Sequence, residues 1–179
     1  MLLKIIIAVA VLLVVLCIVI ATRPASFRYS RSRTIAAPPA ALFEQVNDVQ
    51  KFQAWNPFAK MDPTATNTYS GPPAGVGSAC TWSGNNKVGE GTMTNVESRP
   101  NELVRFKLDF RKPMAATNIG EFTFVPEGDK TVVTWSMSGE NGFMAKAFGL
   151  FVNCDKMVGG EFEKGLADLD ATVHANAKP

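Results

Sequence analysis

His174 is the only histidine in the chain, and it lies close to the C-terminus. Imidazole is the side chain most often used to move protons near neutral pH. A His-based triad, a His metal cluster and a His general base are therefore excluded from the interior of the domain. Other catalytic patterns are also missing: the sequence has no GxSxG, no GxxxxGK[ST], no HExxH and no GxGxxG opening a helix. Gly89-Glu90-Gly91 falls in a strand-like stretch with no βαβ context. The Ser, Thr and Tyr hydroxyls have no nearby His to activate them. The three cysteines, Cys17, Cys80 and Cys154, lack CxxC spacing and read as small buried hydrophobes. A Cys80–Cys154 bridge stays open at this level.

The residues that remain suit binding rather than bond-breaking. Large apolar side chains recur on the parities that face inward: Trp82, Met93, Phe106, Phe122, Phe124, Trp135 and Met137 on strands, and Met144, Phe148, Phe151 and Met157 at helical spacing. Aromatic and thioether walls give large contact area and re-pack around varied ligands. The plain alternative is that they fill a solid core. Asn118 shares the face of Phe122 and Phe124, where a polar group needs a partner from protein, water or ligand. Trp55-Asn56-Pro57-Phe58 reads as a helix stop with aromatic plugs, or as the rim of a pocket. The candidate cavity residues are thus Trp55, Trp82, Met93, Phe106, Asn118, Phe122, Phe124, Trp135, Met137, Phe148, Phe151 and Met157. Glu90 and Glu97 sit on a strand of unresolved parity, and neither is nominated as a buried acid.

These positions need a scaffold. Phe27 to Ile35 alternates as a first strand. Pro38-Pro39 opens a short helix carrying Leu42, Phe43 and Val46, and a second carries Val49, Phe52 and Trp55 up to Asn56-Pro57. Met61 to Gly77 is rich in Pro, Gly and Thr, a loop with one short strand near Thr68-Tyr69. Strands follow over Ser78–Ser83, Lys87–Arg99, Leu103–Phe110, Ala116–Val125 and Thr131–Ser138, with turns at Gly84-Asn85-Asn86, Pro100-Asn101 and Gly128-Asp129. The parity of Lys87–Arg99 slips between Met93 and Val96, which predicts a bulge. After a shorter helix, Met157, Val158, Phe162, Leu166 and Leu169 predict one long amphipathic helix, weakened at Gly159-Gly160. Grouped strands with helices at the ends argue an α+β fold, the last helix covering the apolar face of an antiparallel sheet.

The N-terminus is different in kind. Ile5 to Thr22 carries no charge and as a helix spans about 27 Å, enough for a thin hydrocarbon core. Residues 1–23 are read as a retained transmembrane anchor, 24–175 as the folded domain and 176–179 as a tail. The competing reading is a cleaved signal peptide, with Val19-Ile20-Ala21 as the cleavage motif. Arg23, Arg28, Arg31 and Arg33 follow the span and only Lys4 precedes it, which tips the domain to the cytoplasmic face. A short N-terminus with a leading Lys is also the form of an exporting signal-anchor. The net charge of +2, without a dense basic patch, argues against a nucleic-acid partner.

The order β-α-α-β6-α, the Ile35-Ala36-Ala37-Pro38 junction and Trp55-Asn56-Pro57-Phe58 resemble the SRPBCC, or START-like (Bet v 1-like), superfamily. Within it the chain is most similar to bacterial polyketide cyclase/dehydrase and lipid transport proteins. Tyr69-Ser70-Gly71-Pro72, Val88-Gly89-Glu90-Gly91 and the stretches from Phe143-Met144-Ala145-Lys146 to Asp155-Lys156-Met157-Val158-Gly159 add to the resemblance. It covers about Phe27 to Val173. It implies a helix-grip fold, a curved antiparallel sheet wrapped around the C-terminal helix with a deep cavity between them. The catalytic residues of aromatase-cyclases in this superfamily have no matching position here.

The expectation is a membrane-anchored binder of a small hydrophobic or amphipathic, lipid-like ligand, needing no cofactor or metal. Its rivals are a cyclase- or dehydratase-like enzyme using the same cavity and a protein-interaction module without ligand. The identity of any protein partner is not legible in the residues.

Overall fold

The computed structural model describes residues 1–176. Of the expected C-terminal tail, residues 177–179 lie outside the described residues. Helix α1 runs over Leu2–Thr22. It is long and apolar enough to cross a membrane, a test that a signal sequence also passes.

The sheet has seven antiparallel strands among the described residues, in the order β1-β7-β6-β5-β4-β3-β2. They are β1 Ser26–Ile35, β2 Thr66–Ser70, β3 Ala79–Ser83, β4 Glu90–Arg99, β5 Leu103–Lys112, β6 Ala116–Glu127 and β7 Lys130–Glu140. Alternation puts Phe106, Phe122, Phe124, Val133 and Trp135 on the buried face. The opposite face is held by charge. Arg105 donates through Nη2 to Glu121 at 2.7 Å and pairs with Glu97 as well, while Arg28 reaches Glu121 at 3.4 Å. The predicted bulge is present, as a register shift between Asn95 and Glu97, and a second shift lies between Glu90 and Gly91. Such extra residues bend and twist a strand, which helps the sheet curl.

The inside of the curl is covered by helices. α2 (Pro39–Asn47), α3 (Val49–Trp55) and α4 (Pro57–Lys60) follow β1. Asp48 caps α3, and Asn56 caps α4 with Pro57 in its first position. The Asn56-Pro57 pair therefore both ends one helix and starts another, since a proline lacks only an amide that a first turn leaves unused. α5 covers Phe143–Phe148 and α6 Cys154–Asn176. Phe162, Leu166, Leu169 and Val173 form the buried stripe of α6. Of the two glycines read as weak spots, Gly159 is a point of close approach, where a Cβ would collide with the Arg31 guanidinium, while Gly160 has nothing within 4 Å; further along, a Cβ on Gly165 would lie 2.5 Å from the Trp135 ring. β1 grips α6 electrostatically as well, with Arg31 donating to Asp155 at 3.0 Å and Glu163 at 2.8 Å, and Arg33 to Asp170 at 2.9 Å. All three cysteines are free, which closes the question of a Cys80–Cys154 bridge.

Candidate functional site

A cavity of about 300 Å³ lies between the sheet and α6. Its floor is aromatic. Phe52 of α3 meets Phe106 and Phe122 at ring-centroid distances of 5.5 and 5.8 Å. Trp135 is stacked between Phe122 at 4.7 Å and Phe162 at 4.4 Å. Met93 lines the cavity and is also buried. Half-buried Trp82, Val88, Leu108, Phe110, Met137 and Val158 line the rest, and these outer residues form the mouth. Gly120 faces the cavity between Leu108 and Phe122; a Cβ there would sit 3.4 Å from Leu108 Cδ1, an ordinary contact. The missing side chain helps keep the interior open.

The polar groups on the wall are mostly occupied. Asn56 Nδ2 donates to Gln53 Oε1 at 3.1 Å, while Asn56 Oδ1 accepts the Phe58 amide at 3.1 Å. Gln53 Nε2 points at Cys80 Sγ, 3.4 Å away. Burial pushes the Cys80 thiol above its usual pKa, so it is a neutral packing group rather than a nucleophile. Trp82 Nε1 donates to the Val88 carbonyl at 3.0 Å. Among the described lining residues, the one charged side chain is Lys87, on the exposed β3–β4 turn.

Six of the twelve residues singled out in the sequence line this space: Trp82, Met93, Phe106, Phe122, Trp135 and Met137. The others lie elsewhere. Trp55 is buried behind the floor, its Nε1 donating to the Gln45 carbonyl at 3.1 Å. Phe124 packs edge-on against Phe43 of α2, 6.0 Å away. Asn118 stays on the inner face near the start of β6, over Gly139, with Nδ2 4.0 Å from Met137 Sδ and a buried Oδ1 that lacks a protein partner.

Phe148, Phe151 and Met157 point outward, 50, 84 and 52 % exposed. Helical spacing had put Phe148 and Phe151 on the inner side of a shorter helix and Met157 on the stripe of the long one, but α5 stops at Phe148, leaving Phe151 in the link before α6. The stripe starts at Val158, whose turns lead to Phe162 and Leu166; Met157 stands over the polar row of Glu161 and Lys164. Leu108 and Phe110 were legible as cavity residues from their parity with Phe106. Phe52, Phe58 and Phe162 come from three separate helices and had no shared sequence signal.

Residues 26–174 match the model of the family described as polyketide cyclase / dehydrase and lipid transport. The chain belongs to that family. No curated protein matches it. Among solved structures, the family fold is shared with protein CV1439 from Chromobacterium violaceum, at 16% identity and a TM-score of 0.59, covering 84% of this chain and 98% of the other. It is shared with the Aha1 dimer from Colwellia psychrerythraea, at 15% identity and TM-score 0.59, covering 85% and 99%. Major latex-like protein 151 from Panax ginseng aligns at 13% identity and TM-score 0.55, covering 83% and 97%. At such identities the likeness establishes the fold, a Bet v 1-like helix-grip, and not a shared ligand. The polyketide cyclase / dehydrase and lipid transport family places this chain among hydrophobic-ligand-binding modules.

Proposed function

We propose that the protein is a membrane-anchored carrier or sensor that holds one small apolar or amphipathic, lipid-like molecule in the cavity under α6. Residues 1–23 serve as the anchor and 24–175 as the binding domain, on the cytoplasmic face. The observation that carries the reading is an aromatic floor under about 300 Å³, with the wall amides of Gln53 and Asn56 already engaged by protein groups. Such a space admits on the order of ten non-hydrogen atoms, taking about 30 Å³ for each, so it suits one short chain or ring rather than two acyl chains. A cyclase or dehydratase reading would need a proton donor or acceptor at the floor, where aromatic rings and a thioether stand.

The test is native mass spectrometry of the full chain purified in detergent, with thermal shifts across fatty acids and isoprenoid alcohols. A bound molecule at 100 times its Kd stabilises by about 2.7 kcal/mol. No retained molecule and no shift across the panel would overturn the reading.

A further inference from the structure

The end of α1 is not a free tether. Ile20 is buried, Lys146 Nζ of α5 donates to the Ala21 carbonyl at 3.4 Å, and the Asn141 amide donates to the Ala25 carbonyl at 2.7 Å. At 1.5 Å per residue the 21 residues of α1 are about 31 Å long, which matches a hydrocarbon core of about 30 Å and leaves nothing over. If α1 spans, its last turn lies at the edge of the hydrocarbon. What packs on that turn lies at the same depth.

α5 and the link to α6 pack there, and they are apolar on the outside. Phe143, Met144, Phe148, Phe151 and Met157 are all exposed, Met144 at 67 %. Basic side chains of Arg23, Lys146 and Lys156 are interleaved with them. The hollow of about 520 Å³ between the end of α1, α5 and the start of α6 is lined by Arg23, Lys146 and Phe151 among others. Exposed aromatic and aliphatic groups flanked by cations are the composition of a surface that inserts at the level of lipid headgroups.

Sheet register places the cavity mouth on the same side. Ser26, just after α1, pairs with Glu140, Asn118 with Gly139, Phe110 with Ala116, and Glu90 with Lys112. These pairs form one rim of the sheet. The turns that leave this rim carry Val88 and exposed Met114, and the mouth residues Phe110 and Val88 lie on it. The three residues between α1 and β1 reach at most about 14 Å, so the rim cannot stand far from the membrane.

We propose that this apolar ridge of α5 and the α5–α6 link embeds in the interface of the bilayer that α1 crosses, seating the domain with its cavity mouth toward the lipid. The ligand then passes between bilayer and cavity without crossing open water. The proposal rests on the anchor reading above.

The full chain in nanodiscs of phosphatidylcholine and phosphatidylglycerol tests it, with all native cysteines replaced and a nitroxide placed in turn by Leu12→Cys, Phe151→Cys and Asp129→Cys. Accessibility is read with oxygen, which concentrates in lipid, and a water-soluble nickel chelate. The expected result is oxygen-favoured collision at positions 12 and 151, and nickel-favoured collision at 129 on the opposite rim. Lipid exposure at 12 with water exposure at 151 overturns the proposal and leaves the anchor intact. Water exposure at 12 overturns both. Because the three positions are exposed, the labels leave the core unchanged.

Discussion

Trp135 of β7 stacks on Phe162 of α6 with ring centroids 4.4 Å apart and planes inclined by 18°. One aromatic pair thus joins the sheet to the last helix and also forms a wall of the cavity. This contact is possible because residue 165, less than one turn further along α6, is glycine: a Cβ there would lie 2.5 Å from Trp135 and 2.9 Å from Pro57.

Gly165→Ala should therefore destabilise, although alanine gains about 1 kcal/mol over glycine inside a helix. The expected net loss is about 1–3 kcal/mol from overpacking. Gly160→Ala is the control, since nothing lies within 4 Å of its Cβ position; it should stabilise by about 0.5–1 kcal/mol. Urea unfolding of the two variants with unchanged m-values checks the pair.

Gly120→Leu should plug the cavity. The added side chain starts in ordinary contact with Leu108 and Phe106 and grows into the open space. Folding should survive, within about 1–3 kcal/mol of the parent, while the thermal shift by any cavity ligand disappears. A shift that persists at parental size would show that the ligand sits elsewhere.

Asn118 and Gly139 should couple. Asn118 Oδ1 occupies the space of a Gly139 Cβ and lacks a protein partner. Gly139→Ala alone should cost about 1–3 kcal/mol. In an Asn118→Ala background most of that cost should vanish, because the crowding atom and the unpaired acceptor leave together. A double-mutant cycle from denaturant curves measures it.

Glu121 should titrate low. Burial pulls its carboxyl pKa up, but hydrogen bonds from Arg105 and Arg28 more than offset this and hold it below the usual value. A folded pKa below the unfolded one stabilises above the unfolded value, near about pH 4.3, and the contribution is lost as pH falls through the folded value. Carboxyl carbon NMR should find Glu121 acid-shifted, and Arg105→Gln should move it back up. Asp155 should behave likewise, since its hydrogen bond from Arg31 lowers its pKa.

The alternation of β5, the grouped strands and the long last helix were legible in the residues, because period two and period 3.6 are local consequences of burying one face. Even the bulge at Val96 was legible, since a parity slip is written directly in the order of side chains. The inward facing of Trp82, Met93, Phe106, Phe122, Trp135 and Met137 follows from the same rule. Only the tertiary structure decided which inward residues surround space and which fill it. Trp55 and Phe124 are as buried as the cavity floor, but both pack toward α2, Trp55 from the end of α3 through Gln45 and Phe124 from β6 against Phe43. Periodicity reports a face and not a distance along the sheet. Nor could spacing show that Phe148 and Phe151 turn outward toward the end of α1, because that depends on where α5 breaks off and on what packs against it.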